Sequence, residues 1–341
     1  MSVSHEAPAD LPAPPTLSVG KILRSRELVL IGLLAMVFIG GNASSPWFLD
    51  IYNLLDSTAI FSEIALMALG TALVIITRDI DISMASILAL SSLVMGLASQ
   101  HLGLGAVPLV LIGLATGALC GAVNGTLVAR LGMPAIVVTI GTMSLFRGIA
   151  AGILGDGKIA EFPTAFTAIG QSYLFGMIPL SFVVFILLSV VFVVLTHFTV
   201  LGRNLFALGN NPEGARYSGV RTNRLRFLLF TLNGLMAGLA AVFLTARLGS
   251  TRPDIAMGLE MEVITMVVLG GVSISGGKGT ITGVVLAALV IGFLRLAVTL
   301  NNVPGNILIV FTGLLLIGSV ALPIIGEKYA YLFKLMRRPR N

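Results

Sequence analysis

Ionisable residues are scarce in this chain, and where they cluster decides what chemistry it can perform. The three histidines, His5, His101 and His197, stand far apart with no metal-ligand spacing among them. Cys120 is the single cysteine, which excludes an internal disulfide or a thiolate cluster and reads as a small buried residue. The run GGVSISGGKGT, residues 270 to 280, comes nearest to a phosphate-binding loop. Counted from Gly271, however, the lysine position holds Gly277, and Lys278 is followed by Gly279 rather than a hydroxyl residue. No catalytic residue, bound cofactor or metal is expected.

The densest polar stretch of the second half is ALGNNPEGARYSGVRTNRLRF, residues 207 to 227. It sets Arg216, Arg221, Arg224 and Arg226 against one acid, Glu213, between two apolar runs. Asn211 suits a helix N-cap, Pro212 the first helical position and Gly219 the left-handed stop beyond the end. These residues predict a two-turn helix from Pro212 through Glu213, Gly214, Ala215, Arg216 and Tyr217 to Ser218. With Ala215 and Tyr217 to bury and arginines around them, such a helix suits a groove on another protein. Physics alone leaves a second reading open, a basic loop held against anionic lipid.

The elements that must carry this segment are membrane spans. Hydrophobic residues make up 56% of the 341 and charged residues 11%, less than half of the roughly 25% usual in soluble domains. The chain therefore reads as an all-α polytopic membrane protein. Spans are expected near 28–46, 57–77, 83–100, 105–129, 134–154, 178–198, 227–248, 260–274, 281–299 and 306–325, the eighth short and broken by Gly270 and Gly271. Ten spans put both ends on one side. With that side cytoplasmic, only Lys158, Arg247 and Arg252 fall outside and only Arg147 and Arg295 within spans, as the positive-inside rule requires. The net charge of +6 accordingly marks a membrane side rather than a nucleic-acid partner.

The domain reading follows: a cytoplasmic tail over 1–27, with four prolines in its first twenty residues; a transmembrane domain over 28–326 carrying a cytoplasmic loop at 200–226; and a basic cytoplasmic tail over 327–341. Gly113, Gly117, Gly121 and Gly125 recur every four residues in the fourth span, and Gly234 with Gly238 repeats the spacing in the seventh, which predicts closely packed helices. The acids make a poor ion relay: Glu63 alone lies well inside a span, Asp79 and Asp81 sit with Arg78 at an inner turn, and Glu260 and Glu262 at an outer end. Asn124, Thr139, Thr142 and Asn233 are the polar residues within spans that could line a path, with interhelical bonding as the competing role. Arg147 and Arg295 are expected to snorkel, bond carbonyls or face another subunit.

The stretch GNNPEGARYSGVRTNRLRF resembles the coupling loop of the permease subunits of ABC importers, a divergent form of the E-A-A segment. Three further stretches resemble the sugar-importing branch around the ribose permease. ALVIITRDIDISMASILALSS (72–92) is similar to its G-I-D-L-S-V-G-S turn, and LGMPAIVVTIGTMSLFRGIA (131–150) to its P-x-x-x-x-T-L-G-T-M segment. EMEVITMVVLGGVSISGGKGTITGVVLAALVIGFL (260–294) is similar to its V-L-G-G-x-S-x-x-G-G-x-G element, so that the resemblance runs in order over roughly residues 50 to 325. Arg78 replaces the usual glycine before I-D, as in autoinducer-2 and rhamnose-type permeases, and Ala85 replaces another. Pro212 and Glu213 stand where the ribose-type loop has Glu and Ala, so the acid is displaced by one position.

The resemblance implies a subunit of the bacterial inner membrane that imports a monosaccharide or similar small polar solute by alternating access. It further implies two cytoplasmic ATPase subunits that hydrolyse the ATP, a second permease chain, identical or different, and a periplasmic solute-binding protein, with membrane lipid around the bundle and no nucleic acid. The coupling role falls on Asn211 to Gly219. Two alternatives stay open, a branched-chain amino-acid permease of the same superfamily and a gradient-driven transporter.

Overall fold

A computed structural model describes residues 26–303, 307, 310–319 and 321. The helices are α1 (Arg26–Ser44), α2 (Ile51–Ile76), α3 (Met84–Leu102), α4 (Ala106–Ala129), α5 (Ala135–Leu154) and the short α6 (Thr164–Gln171). A small hairpin follows, β1 (Tyr173–Leu174) antiparallel to β2 (Ile178–Pro179) with Tyr173 opposite Pro179. Then come α7 (Leu180–Phe198), α8 (Val200–Asn210), α9 (Pro212–Tyr217), α10 (Thr222–Leu248), α11 (Leu259–Leu269) and α12 (Ile281–Leu300), with α13 over Val310–Ser319.

Eight of these helices, α1 to α5, α7, α10 and α12, are long and apolar enough to cross a bilayer, and the protein is an all-α polytopic membrane protein. The expected eighth span is not a full one. Helix α11 holds 11 residues, short of the roughly 20 a crossing needs, and gives way at Gly270 and Gly271 to an irregular segment running to Thr280. The expected tenth span and both tails lie wholly or partly outside the described residues, although Glu27, placed in the N-terminal tail, is in the first turn of α1. Its carboxylate accepts from the hydroxyls of Thr280 and Thr282, each at 3.2 Å, which ties α1 to the start of α12.

Helix α2 is the axis of the bundle: every residue from Phe61 to Ile76 is buried. A helix apolar all round is stable only when neighbours cover it on all sides. Here α7, α10, α11 and α12 do so. Helix α5 is the contrast, burying only Ala135, Val138, Thr139, Thr142, Phe146 and Ala150, one stripe at helical spacing that lies on α3 and α4.

The glycine seam brings α4 and α10 together as its spacing predicts. A Cβ at Gly117 would fall 2.7 Å from Gly238 Cα, and one at Gly234 the same distance from Gly121 Cα. Either would force the helices apart, so the backbones touch because nothing larger than hydrogen stands between them. This contact fixes α10, and with it the segment that leads into α10.

Candidate functional site

Helix α9 is built by its own punctuation. Asn211 adopts extended backbone and its Oδ1 accepts from Gly214 N at 3.0 Å, Pro212 occupies the first turn, and Gly219 follows at φ +86°. The helix ends at Tyr217 with Ser218 as its cap, and Val220 N closes the end by donating to Ala215 O at 3.0 Å. Ala215 is buried by the chain itself, in a helix that packs on α8 and α10. Tyr217 is 91% exposed, and Glu213, Arg216 and Ser218 stand out with it.

Helix α8 carries α9 on a rigid base. Leu205 and Leu208 are fully buried, and Gly209 sits so close to the 270–280 segment that a Cβ would lie 2.5 Å from Gly277 N. Gly277, at φ +70°, donates its amide to Ile76 O at 2.8 Å, which closes the end of α2. Arg78 Nε donates to Ser275 O at 2.7 Å from the other side. The end of α8 is thus wedged where two turns meet, 77–83 after α2 and 270–280 after α11.

The 77–83 turn is in turn held by side chains from three helices. Asp81 is fully buried and accepts from Ser83 N (2.9 Å), Ser83 Oγ (2.6 Å) and Asn233 Nδ2 (2.9 Å). Asn124 Nδ2 donates to Ser83 Oγ at 2.8 Å, and Thr139 Oγ1 to Ile80 O at 3.1 Å. Asn124, Thr139 and Asn233, singled out as path candidates, therefore converge on one turn from α4, α5 and α10. Thr142 bonds Val138 O within α5 instead, at 3.1 Å.

Arg226, in the second turn of α10, places Nε 2.9 Å from Asp79 Oδ2 off the hydrogen-bond line, so charge rather than a directed bond holds the pair. Burial pushes the Asp79 carboxyl above the usual carboxylate range, and Arg226 acts against that shift. The chain direction then reads as a linkage: α9, the 218–221 turn, Arg226 on Asp79, and beyond it the Asp81–Asn233 contact inside the bundle.

The opposite end is tied differently. Arg247 makes a two-pronged contact to Glu63 at 2.7 and 2.8 Å, and Arg295 approaches Glu262 at 3.3 Å. Arg147 bonds the carbonyls of Pro253 (2.9 Å) and Ile255 (2.7 Å), one of the roles expected for it. The partners of Glu63, Glu262 and Arg226 were not evident in the sequence. Each pair joins residues more than thirty positions apart, and nothing local marks it.

With this geometry in view, the comparisons decide the family. A family model described as branched-chain amino acid transport system, permease component, matches residues 53–320. The chain belongs to this permease family. Among curated proteins, the autoinducer 2 import system permease protein LsrD of Salmonella paratyphi A is 37% identical over 299 residues, covering 86% of this chain and 90% of that one. LsrD of Yersinia enterocolitica is 37% identical over 324 residues, covering 92% and 96%, and that of Escherichia coli O9:H4 36% over 300 residues, covering 85% and 89%. No solved structure matches. The chain is a permease subunit of an ABC importer of the ribose and autoinducer-2 branch, multi-pass in the bacterial inner membrane. As such it works with ATPase and solute-binding partners.

Proposed function

We propose that this chain forms the membrane path for a small polar, sugar-like solute, and that the segment Asn211–Gly219 couples that path to separate cytoplasmic ATPase subunits. The observation that carries the reading is the placement of α9. It is a capped helix outside the spans, exposing Glu213, Arg216 and Tyr217, on a base wedged between the two turns that end α2 and α11. Push on such a helix and both turns must respond, because close packing transmits displacement rather than absorbing it. ATP binding by the partner would move α9 as a lever, and the bundle would alternate between outward and inward states.

A periplasmic binding protein would deliver the solute. The relatives named for autoinducer 2 favour that compound or a sugar of its size over the amino acids of the family description. A second permease chain, identical or homologous, would complete the path. Its surface on this chain is assigned to the open side of α5, where Gly141, Gly148 and Gly152 have nothing within 4 Å of a Cβ. Asn124, Thr139, Thr142 and Asn233 would act on the path through the 77–83 turn or along α5 rather than by touching solute.

The test is a mild-detergent pull-down of the tagged chain from its native membranes, with and without Arg216→Glu. Recovery of an ATPase that the reversal abolishes, with equal insertion, is the expected result. A chain that emerges alone, and moves solute when reconstituted with only an ion gradient, would overturn the reading.

A further inference from the structure

Two cavities open at the end of the bundle that carries α9 and meet at Arg224 and Leu228. The larger, 710 Å³, is a groove between α4, α7 and α10 with apolar walls from Ala118, Leu195, Phe227, Leu232 and Leu235. It lies within the span region, where lipid rather than water is the solvent, and Arg130 and Arg224 stand at its mouth. The smaller, 440 Å³, lies under the turn that follows α9 and sets Asn204, Arg221 and Arg224 among Leu201, Val220 and Leu225.

Three features of the junction call for an anion. No carboxylate among the described residues pairs with Arg130, Arg221 or Arg224. Arg130 is held in place with its guanidinium carbon 5.5 Å from the centroid of the Phe227 ring, so its charge stays at the groove mouth without being neutralised. The helix end between them has no side-chain cap: α10 starts after Arg221, and the first-turn amides of Asn223 and Arg224, which have no partner within the helix, lie beside the groove. An apolar groove continuous with a phosphate-sized cluster of donors fits one kind of molecule, with a hydrocarbon tail and an anionic head.

We propose that this junction is a binding site for an anionic phospholipid. One acyl chain lies in the groove along α4 and α10, and the phosphate is held by Arg130, Arg224 and the α10 amides, with the rest of the headgroup beside Asn204 and Arg221 in the smaller cavity behind the 218–221 turn. Bulk lipid contact selects no headgroup, whereas this site does, because its charge lies at the level of the phosphates. The headgroup rests against the turn joining α9 to Arg226, so occupancy stiffens the segment assigned to coupling. Lipid binding itself does not depend on that assignment.

The full chain is reconstituted in nanodiscs of phosphatidylcholine with a minor fraction of phosphatidylglycerol, extracted mildly, and the retained lipid counted by native mass spectrometry. One phosphatidylglycerol per chain is expected, preferred over phosphatidylcholine by about tenfold or more. Arg130→Gln with Arg224→Gln should abolish the preference, and the matching pair of lysine variants should keep most of it. Ala118→Phe, which fills the groove and leaves both arginines, should also lose the lipid. Equal retention of the two lipids, or a preference that survives the glutamine pair, would overturn the site. Displacement by excess glycerol phosphate would show a soluble-anion pocket instead, and a glutamine pair that keeps its lipid but no longer recovers an ATPase would place the arginines at a protein interface.

Discussion

The turn at 77–83 and the turn at 270–280 meet at Ile76, Arg78 and Gly277, yet they are held by different means. The first is fixed by side chains: Asp81 and Ser83 take contacts from α4 and α10, and Ile80 O takes one from α5. The second is fixed by backbone: Gly276, Gly277 and Gly279 all have positive φ, and Ser273 N bonds Lys278 O at 2.9 Å across it. Both follow a Leu-Gly pair, but Gly70 lies inside α2 against Asn233 while Gly270 ends α11. A turn gripped by three helices can report their movements. A turn gripped by its own backbone, with close neighbours against Gly270, Gly276, Gly277 and Gly279, moves as a block. The junction under α8 therefore joins a sensing element to a rigid one.

The sharpest way to break this contrast is at Asp81. Asp81→Ala removes the acceptor of three buried donors, and leaving such groups unpaired costs about 3 kcal/mol or more. Thermal unfolding in detergent should show that loss. Asp81→Asn keeps the Ser83 contacts but sets amide against amide at Asn233, and should fall between.

Gly277→Ala tests the backbone-held turn. A left-handed conformation costs an L-residue about 1–2 kcal/mol, and here the added Cβ would also lie 3.0 Å from Asn210 N. The expected loss is about 2 kcal/mol. If the turn is rigid, the stability change should come with an equal fractional loss of uptake at every solute concentration. A stable Gly277→Ala with normal uptake would mean the turn has room to adjust, contrary to the packing described.

Asp79 and Arg226 lie where the two turns feel α9. Arg226 is 27% exposed but Asp79 only 9%, so reversing either charge sets like charges together at a largely buried site. Asp79→Arg or Arg226→Asp alone should lower the unfolding temperature and, in the chains that still insert, uncouple ATP hydrolysis from uptake. The doubly swapped chain should recover coupling, an outcome a merely structural role would not give. Failure of the swap, with both single variants active, would remove this link from the proposed lever.

Much of the fold was legible because hydropathy, glycine spacing and capping are local. Asn211, Pro212 and Gly219 sufficed to mark α9, and the four-residue glycine repeat marked the α4–α10 contact. What was not legible has physical causes. Helix α2 starts at Ile51 rather than 57, capped by Asp50 on Asn53 N at 3.0 Å, because hydropathy reports the thickness of the bilayer and not the length of a helix that projects beyond it. The eighth expected span scored as apolar through Val263, Ile264, Val267, Val268 and Leu269, and the break at Gly270 and Gly271 that the sequence marked shortens it to 11 helical residues. Helix α6 gave no membrane signal and the second hairpin strand was taken into the expected span at 178–198, while the hairpin is anchored by Tyr173 OH on Asp56 Oδ1 at 2.5 Å, a contact between distant segments. The site was legible as α9 alone; its connection to Asp79 and Asp81 needed three dimensions.

Tyr217→Ala is the smallest perturbation of the chain and isolates the surface from both turns. At 91% exposure the ring packs on little of its own protein, so unfolding should move by less than about 0.5 kcal/mol. An exposed aromatic beside Arg216 is nevertheless the kind of residue that dominates a docked interface, where truncation costs about 2 kcal/mol or more. The variant should therefore fold and insert normally, retain its phosphatidylglycerol, and recover at least tenfold less ATPase at limiting concentration. Because Ala215 beneath it is already covered by this chain, no second apolar contact on α9 can substitute for the ring. Undiminished ATPase recovery would then move the coupling surface off α9, leaving the two turns as structural elements with no lever attached to them.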